Sequence, residues 1–183
     1  MAALNDALRT LVRQTHGKRS RPTAAILDSQ SVKSAGHGGR VGYDAGKRIK
    51  GRKRHLLVDT LGLVPGVAVT TASTTERDGA QMVLGRVLGW FTWLRSLWVD
   101  GGYTGETFAQ WVKALRHKLA VEVVKRSDST VGFKVLPRRW VVERTFGWLM
   151  RQRRLVRDYE TTETSAEAWI HIAMIRIQLR RLA

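Results

Sequence analysis

The sequence predicts an α/β fold, a mixed sheet with helices on its faces. Three observations predict it. Apolar runs and helical periods follow one another as strand, hairpin, helix, strand, helix, strand, helix. The connections between the later strands are long enough to return the chain in the same direction, which makes those strands parallel. Two of the apolar runs, Ala24 to Leu27 and Leu97 to Val99, lead directly into an aspartate, Asp28 and Asp100.

Taken in order, Ala3, Leu4, Ala7, Leu8, Leu11 and Val12 repeat at helical spacing and predict a helix over 2–15, followed by a polar, basic break over 16–22. Ala24 to Leu27 reads as a buried strand ending at Asp28. From Lys33 to Gly51 no hydrophobic period survives and six glycines intervene, which predicts a long, mobile, basic loop. His55 to Asp59 and Leu63 to Thr70 flank a Thr-Leu-Gly turn and predict an antiparallel hairpin, with Pro65 suited to a strand start or a bulge. Thr75 and Asp78 have the spacing of a capping box ahead of Met82, Val83, Val87 and Leu88. Asp100 is followed by Gly101 and Gly102, which let another backbone or a ligand approach closely. A helix through Phe108, Trp111, Val112 and Leu115 and a strand at Ala120 to Val124 come next, then a loop over 127–135. Val142, Phe146 and Leu149 predict a helix within Arg138 to Val156, and Thr164 with Glu167 reads as the capping box of a last helix. Asp78 is expected to cap its helix, and Trp90, Trp93, Trp98, Trp111 and Trp169 fall on apolar faces and are expected in the core.

The composition narrows the function. The 183 residues carry 32 Lys+Arg against 15 Asp+Glu, a net charge of +17, interleaved with 43% hydrophobic residues. A basic, folded chain points to a polyanionic partner, with nucleic acid the leading candidate. With no cysteine, disulfides and thiolate zinc sites are excluded, so any metal is held by oxygen or imidazole. His37 and His55 lack the paired spacing of a zinc site. No apolar run approaches the roughly 20 residues that span a bilayer. No signal-peptide pattern opens the chain either, so a soluble, cytoplasmic protein without a membrane partner is expected.

Two carboxylates at the ends of neighbouring strands and a third on a helix are what a site for two magnesium ions needs, because hard oxygen ligands then converge from rigid elements. Asp28, Asp100 and Glu143 fit that pattern. Each also has an ordinary reading, as a turn former, a cap or half of a surface ion pair. Their setting raises the odds: Lys33 to Arg54 holds eight Lys+Arg against Asp44 alone, and Lys134 to Arg157 holds eight against Glu143 alone. Lys33, Lys47, Arg48, Lys50, Arg52, Lys53 and Arg54 are expected to follow a phosphate backbone, the alternative being a solvated charge run. Arg144, Trp148 and Arg151 are expected to face DNA from the later helix. Tyr43 and Tyr103 either stack on a base or pack on their neighbours.

Four stretches then carry a resemblance: AILDSQSVK at 25–33, GYDAGKRIKGRKRHLLVD at 42–59, VDGGYTG at 99–105 and RWVVERTFGWL at 139–149. In this order they resemble the DDE transposases of the IS5 (IS4-related) insertion-sequence family, over about residues 23–160. The resemblance implies a ribonuclease H-like fold, dependence on magnesium with manganese as a substitute, and cleavage of transposon ends followed by strand transfer into target DNA. It implies Asp28, Asp100 and Glu143 as the three acids and Arg139 as a contact to a DNA phosphate. It also implies a bacterial, nucleoid-associated setting and, because two ends must be paired, a homodimer on double-stranded DNA. Where the family pattern has a basic residue seven positions after the glutamate, this chain has Met150, with Arg151 beside it. Family members usually carry an N-terminal helical DNA-binding region, and one short helix fits ahead of Asp28. The chain is therefore expected to be a second reading frame, a truncated copy or an isolated domain. The expected division is an N-terminal helix and linker at 1–22, a catalytic domain at 23–160 and a C-terminal helix at 161–183 packed on it. Two rivals stay open at this point: a non-catalytic DNA-binding remnant that inhibits transposition, and a nuclease on the same fold.

Overall fold

The computed structural model describes residues 1–35, 39–124 and 138–183. Its elements are α1 (Ala2–Thr15), β1 (Ala24–Lys33), β2 (Gly42–Asp44), β3 (Ile49–Asp59), β4 (Gly66–Thr71), α2 (Glu76–Val87), β5 (Ser96–Val99), α3 (Glu106–Leu115), β6 (Ala120–Val123), α4 (Trp140–Met150) and α5 (Glu163–Leu182). Strand β1 is central. It pairs antiparallel with β3 from Ala25↔Asp59 to Lys33↔Gly51, and parallel with β5 only from Ala24↔Ser96 to Ile26↔Trp98. Strand β6 continues the parallel side beyond β5, while β2 and β4 share the outer edge of β3. This is the mixed sheet flanked by helices that the sequence predicts.

Alternation along the strands splits the core into two layers. Ile26, Leu56, Val58, Val67 and Val69 face α1, α4 and α5 through Val12, Val142, Phe146, Leu149, Ile170 and Met174. Ala25, Leu27, Leu57, Ala68, Leu97 and Val99 face α2 and α3 through Val83, Leu84, Phe108 and Val112. Full burial of each such aliphatic or aromatic side chain stabilises by about 1.5–3 kcal/mol. Helix α1 belongs to the first layer. Its Asn5 donates to Val64 O at 2.8 Å and accepts from Gln178 Nε2 of α5 at 3.2 Å. Its Arg13 meets the fully buried Asp59 at 2.8 Å, and Asp59 also accepts from the Leu61 and Leu63 amides, closing the turn between β3 and β4. Among the described residues, no helix is long and apolar enough to cross a membrane.

Several expectations are corrected. The stretch expected as a long loop supplies the end of β1, β2 and the start of β3. Gly51 marks a close strand approach there, since a Cβ would collide with Val32 O. Three of the cations expected to follow a phosphate backbone are structural. Arg52, 1% exposed, donates to Thr161 O at 2.8 Å and Thr162 O at 3.0 Å and pairs with Asp158 at 3.0 Å. Lys53 pairs with Asp44 at 3.2 Å and donates to Thr74 O, and Arg54 donates to Leu155 O. Arg52, Lys53 and Arg54 are therefore not free to follow a phosphate backbone, because carbonyls and carboxylates of distant segments already satisfy them. Helix α4 stops at Met150, short of Val156, with a 3₁₀ turn at Arg153–Leu155. The cap of α5 is Thr162, which accepts from the Ser165 amide at 3.1 Å, while Glu167 reaches instead to Val69 N and Arg86. Thr75 does cap α2, accepting from Asp78 N. Trp90 is 79% exposed and outside the core. His37 and the 127–135 loop lie outside the described residues.

Removing one partner of a fully buried ion pair leaves the other charge uncompensated at a cost of about 3–5 kcal/mol. Urea unfolding of Arg52→Met should show a loss of that size, whereas a loss within about 1 kcal/mol would mark the Arg52–Asp158 pair as an ordinary surface bridge.

Candidate active site

The first two acids come together through strand register. The last parallel pair between β1 and β5 is Ile26↔Trp98. Two residues further on each strand, on the same face by alternation, stand Asp28 and Asp100. Asp28 is not at a strand end as expected: β1 runs five residues past it, paired with β3, with Leu56 opposite Asp28 and the Asp158 amide donating to Lys33 O at the far end. Asp100 does follow the last residue of β5. Its Oδ1 accepts from the Gly102 amide at 2.8 Å, which caps the 3₁₀ turn Gly101–Tyr103 and fixes the carboxylate.

The third acid arrives on α4, which packs against β1. Glu143 lies in the first turn of α4 and its side chain is 53% exposed. One turn earlier Arg139, half-buried at the start of the helix, places Nη2 at 3.5 Å from Asp28, 3.6 Å from Asp100 and 3.9 Å from Glu143. A single guanidinium nitrogen thus lies within 4 Å of all three acids. These separations exceed good hydrogen-bond lengths, so charge rather than directed bonding holds the arginine there. Among the described residues no three acidic or histidine side chains already converge at metal-holding distances. The donor set is nonetheless all carboxylate oxygen on two adjoining strands and a helix, which suits a hard divalent cation.

A second cation, Lys47, and a fourth acid, Glu76, which the sequence did not single out, flank the cluster. Lys47 Nζ lies 3.2 Å from Glu76 Oε1 and 3.5 Å from Ser29 O, and Ser29 Oγ donates to the same Glu76 oxygen at 3.3 Å. Any Cβ at Gly102 would strike the Glu76 carboxylate, which brings Glu76 alongside Asp100. Only the acidic first turn of α2 hinted at this, and that pattern is common to many helix N-termini. Tyr103 packs: it is buried against Phe108 with ring centroids 6.0 Å apart, and burial together with the charges of Asp28, Glu76 and Asp100 holds its phenol well above the usual range. Tyr43 is exposed.

The remaining expected DNA contacts fall in two places. Lys33, Arg48 and Lys50 line a shallow cavity of about 540 Å³ with Tyr43 and Arg157. Lys33 is five residues along β1 from Asp28, roughly 17 Å away. Arg144 and Trp148 lie on α4 beyond Glu143 and Arg151 caps its end, with Arg151 exposed and Arg144 stacked between Trp140 and Trp148.

Burial pushes the Asp28 carboxyl up to about 6, and Asp100 adds to this, while the Ser29 amide, Arg139 and Lys47 pull it back. Because the folded chain then holds a proton that the unfolded chain has released, ionised Asp28 opposes folding above about pH 6, by on the order of 3 kcal/mol. The stabilising proton is fully present below about pH 4 and lost as pH rises through 6. Asp28→Asn should therefore be more stable than the parent chain at pH 7.5 in EDTA, with the advantage shrinking towards pH 4. Chemical unfolding across that range measures it, and an advantage independent of pH would contradict the assignment.

A family model described as the transposase DDE domain matches residues 19–177, a span that includes Asp28, Asp100, Arg139 and Glu143. A search of curated proteins returns no match. Among solved structures, the HTLV-2 integrase catalytic core domain in complex with magnesium, in its trimeric form, is similar at 14% identity and a TM-score of 0.47, covering 84% of each chain. A simian T-cell lymphotropic virus intasome in complex with PP2A regulatory subunit B56 gamma is similar at 16% identity and a TM-score of 0.49, covering 84% of this chain and 48% of that one. With a family match that takes in all but the two ends of the sequence, the chain belongs to the DDE-domain transposases.

Proposed function

We propose that this chain is the catalytic domain of an insertion-sequence transposase of the IS5 (IS4-related) kind, which cuts DNA at the ends of its element and joins the freed ends to target DNA. The observation that carries this reading is the gathering of Asp28, Asp100 and Glu143 around one nitrogen of Arg139, from β1, β5 and α4.

The first step is hydrolysis of one phosphodiester. A water oxygen bonds to phosphorus, and the 3′ oxygen leaves and takes up a proton. The second is the same displacement with that 3′ hydroxyl as the nucleophile and a target phosphodiester as the electrophile. No side-chain nucleophile is needed. Asp28, Asp100 and Glu143 would hold magnesium, or manganese in its place, which supplies activation of the attacking oxygen and stabilisation of the leaving one. Asp28 and Asp100 give rigid ligands from the sheet, and Glu143 gives a more exposed ligand from a helix. Arg139 would trade its carboxylate contacts for a phosphate oxygen of the bound strand, and Lys47 stands beside Glu76 and Ser29.

Cleavage of DNA carrying the element's ends, with magnesium or manganese against EDTA, tests the reading. Asp28→Asn, Asp100→Asn and Glu143→Gln should each lower metal-dependent cleavage by roughly three orders of magnitude or more while duplex binding persists. Cleavage that survives any one of these changes at near parental rate would remove that residue from the site.

A further inference from the structure

Helices α4 and α5 lie side by side, and their outer surface gathers arginines around tryptophan. Trp140, Arg144 and Trp148 follow one another at four-residue spacing on α4, so they share one face. The Arg144 guanidinium lies 4.2 Å from the Trp140 ring centroid and 4.6 Å from that of Trp148. Arg181, from the last turn of α5, lies 4.4 Å from the same Trp148 ring. Arg144 and Arg181 also donate to one shared carbonyl, Leu61 O, at 3.1 and 3.4 Å. Trp148 is itself wedged against Gly62, whose φ of +80° and missing Cβ leave room for the indole.

Like charges are therefore held together by the packing. Burial and the neighbouring Arg144 both weaken the proton affinity of Arg181, and only Asp59 opposes them. Asp59 is buried and already bound to Arg13. Beside this stack a cavity of about 360 Å³ is lined by Arg151, Arg176, Arg180 and Arg181 together with Trp148. No acidic side chain lines it among the described residues. Arg151, Arg176 and Arg180 are exposed. Within the described residues none of these five arginines has a carboxylate within 4 Å, although Arg9, Arg13, Arg52, Arg86, Arg138, Arg139 and Arg154 all do. A purely structural cluster would be neutralised from within, and this one is not.

The surface is continuous with the carboxylate site. Arg151 lies two turns beyond Glu143 on α4, about 12 Å along the axis. Between them stands Gly147, exposed, with open space where a side chain would be. A glycine inside a helix costs about 1 kcal/mol against alanine, and here it leaves a bare strip of backbone that a strand can approach closely.

We infer that the α4–α5 surface built on Trp148 binds the phosphate backbone of duplex DNA without regard to sequence, with Arg176 and Arg180 of α5 as contacts in addition to Arg151. That the polyanion is DNA rests on the function proposed above. The surface extends the grip from the cleaved phosphodiester along the adjoining duplex.

The test is duplex affinity against salt, by fluorescence anisotropy in EDTA, with two unrelated sequences. Removing one arginine–phosphate pairing should flatten the slope of log K against log salt by about 0.9. The double variant Arg176→Gln/Arg180→Gln should flatten it by about 1.8 for both sequences and weaken binding on the order of tenfold at 0.15 M salt. Lys113→Gln, on α3 across the sheet, should leave it unchanged. Both positions on α5 are exposed, so the double variant should melt like the parent. A double variant that binds with the parental slope overturns this surface while leaving the proposed activity intact. A weakening confined to one of the two sequences overturns the sequence-independent binding. A parent chain that binds neither duplex overturns the DNA reading itself.

Discussion

Strand β1 is shared between two ladders of unequal length, and the site depends on that inequality. The antiparallel ladder with β3 runs nine pairs, from Ala25 to Lys33, whereas the parallel ladder with β5 ends after three, at Ile26. Past that point β1 has β3 as its strand partner, until the Asp158 amide donates to Lys33 O at its far end. The space between the strands opens where Asp28 and Asp100 next face the α4 layer, so two carboxylates are delivered by backbone register rather than by flexible side chains. The Gly102 amide fixes one of them, and α4, packed through Val142, Phe146 and Leu149 onto the same layer, brings the third.

Three carboxylates this close repel one another, and the chain meets that cost with positive charge used in three distinct ways. Arg139 and Lys47 stand at the acidic cluster and offset it directly. Arg13, Arg52 and Lys53 are enclosed by the fold and tie loops and strands to Asp59, Asp158 and Asp44. The arginines of α4 and α5 remain outside, Arg144 and Arg181 stacked on tryptophan, and are without acidic partners among the described residues. A net charge of +17 is thus not a uniform coat. Only the cations outside the fold and at its acidic edge are available to a polyanion, which is why a count of basic residues overstates the binding surface.

The layered α/β fold was legible because its inner strands are apolar and its helices keep their period: Leu97 to Val99, Leu56 to Val58 and the Phe108–Val112 face all announce themselves. Asp100 was legible for the same reason, as the end of an apolar run before two glycines. The outer half of β1 was not, because Ser29 to Lys33 is mostly polar and its strand character comes from pairing with β3, a partner 18 to 26 residues away. The basic run at 47–54 misled for a related reason. The groups that satisfy Arg52 and Arg54 lie about a hundred residues further on, at Thr161, Thr162 and Leu155, beyond any local window. Thr164 reads as the cap of the last helix, and the helix instead takes Thr162, two residues earlier. Nothing in the local pattern set Glu76 apart from an ordinary helix-start acid, and nothing placed Arg139 at the centre of the acids rather than beside one of them.

The proposed function requires Asp28, Asp100 and Glu143 to form one cation-binding unit once Arg139 gives way. Anomalous diffraction from manganese-soaked crystals of the protein bound to uncleaved duplex tests that most directly. The expected result is density between Asp28 and Asp100, within about 2.0–2.3 Å of their oxygens, with Glu143 completing the set and the Arg139 guanidinium displaced. Manganese bound elsewhere, with Arg139 still among the three carboxylates, would contradict it.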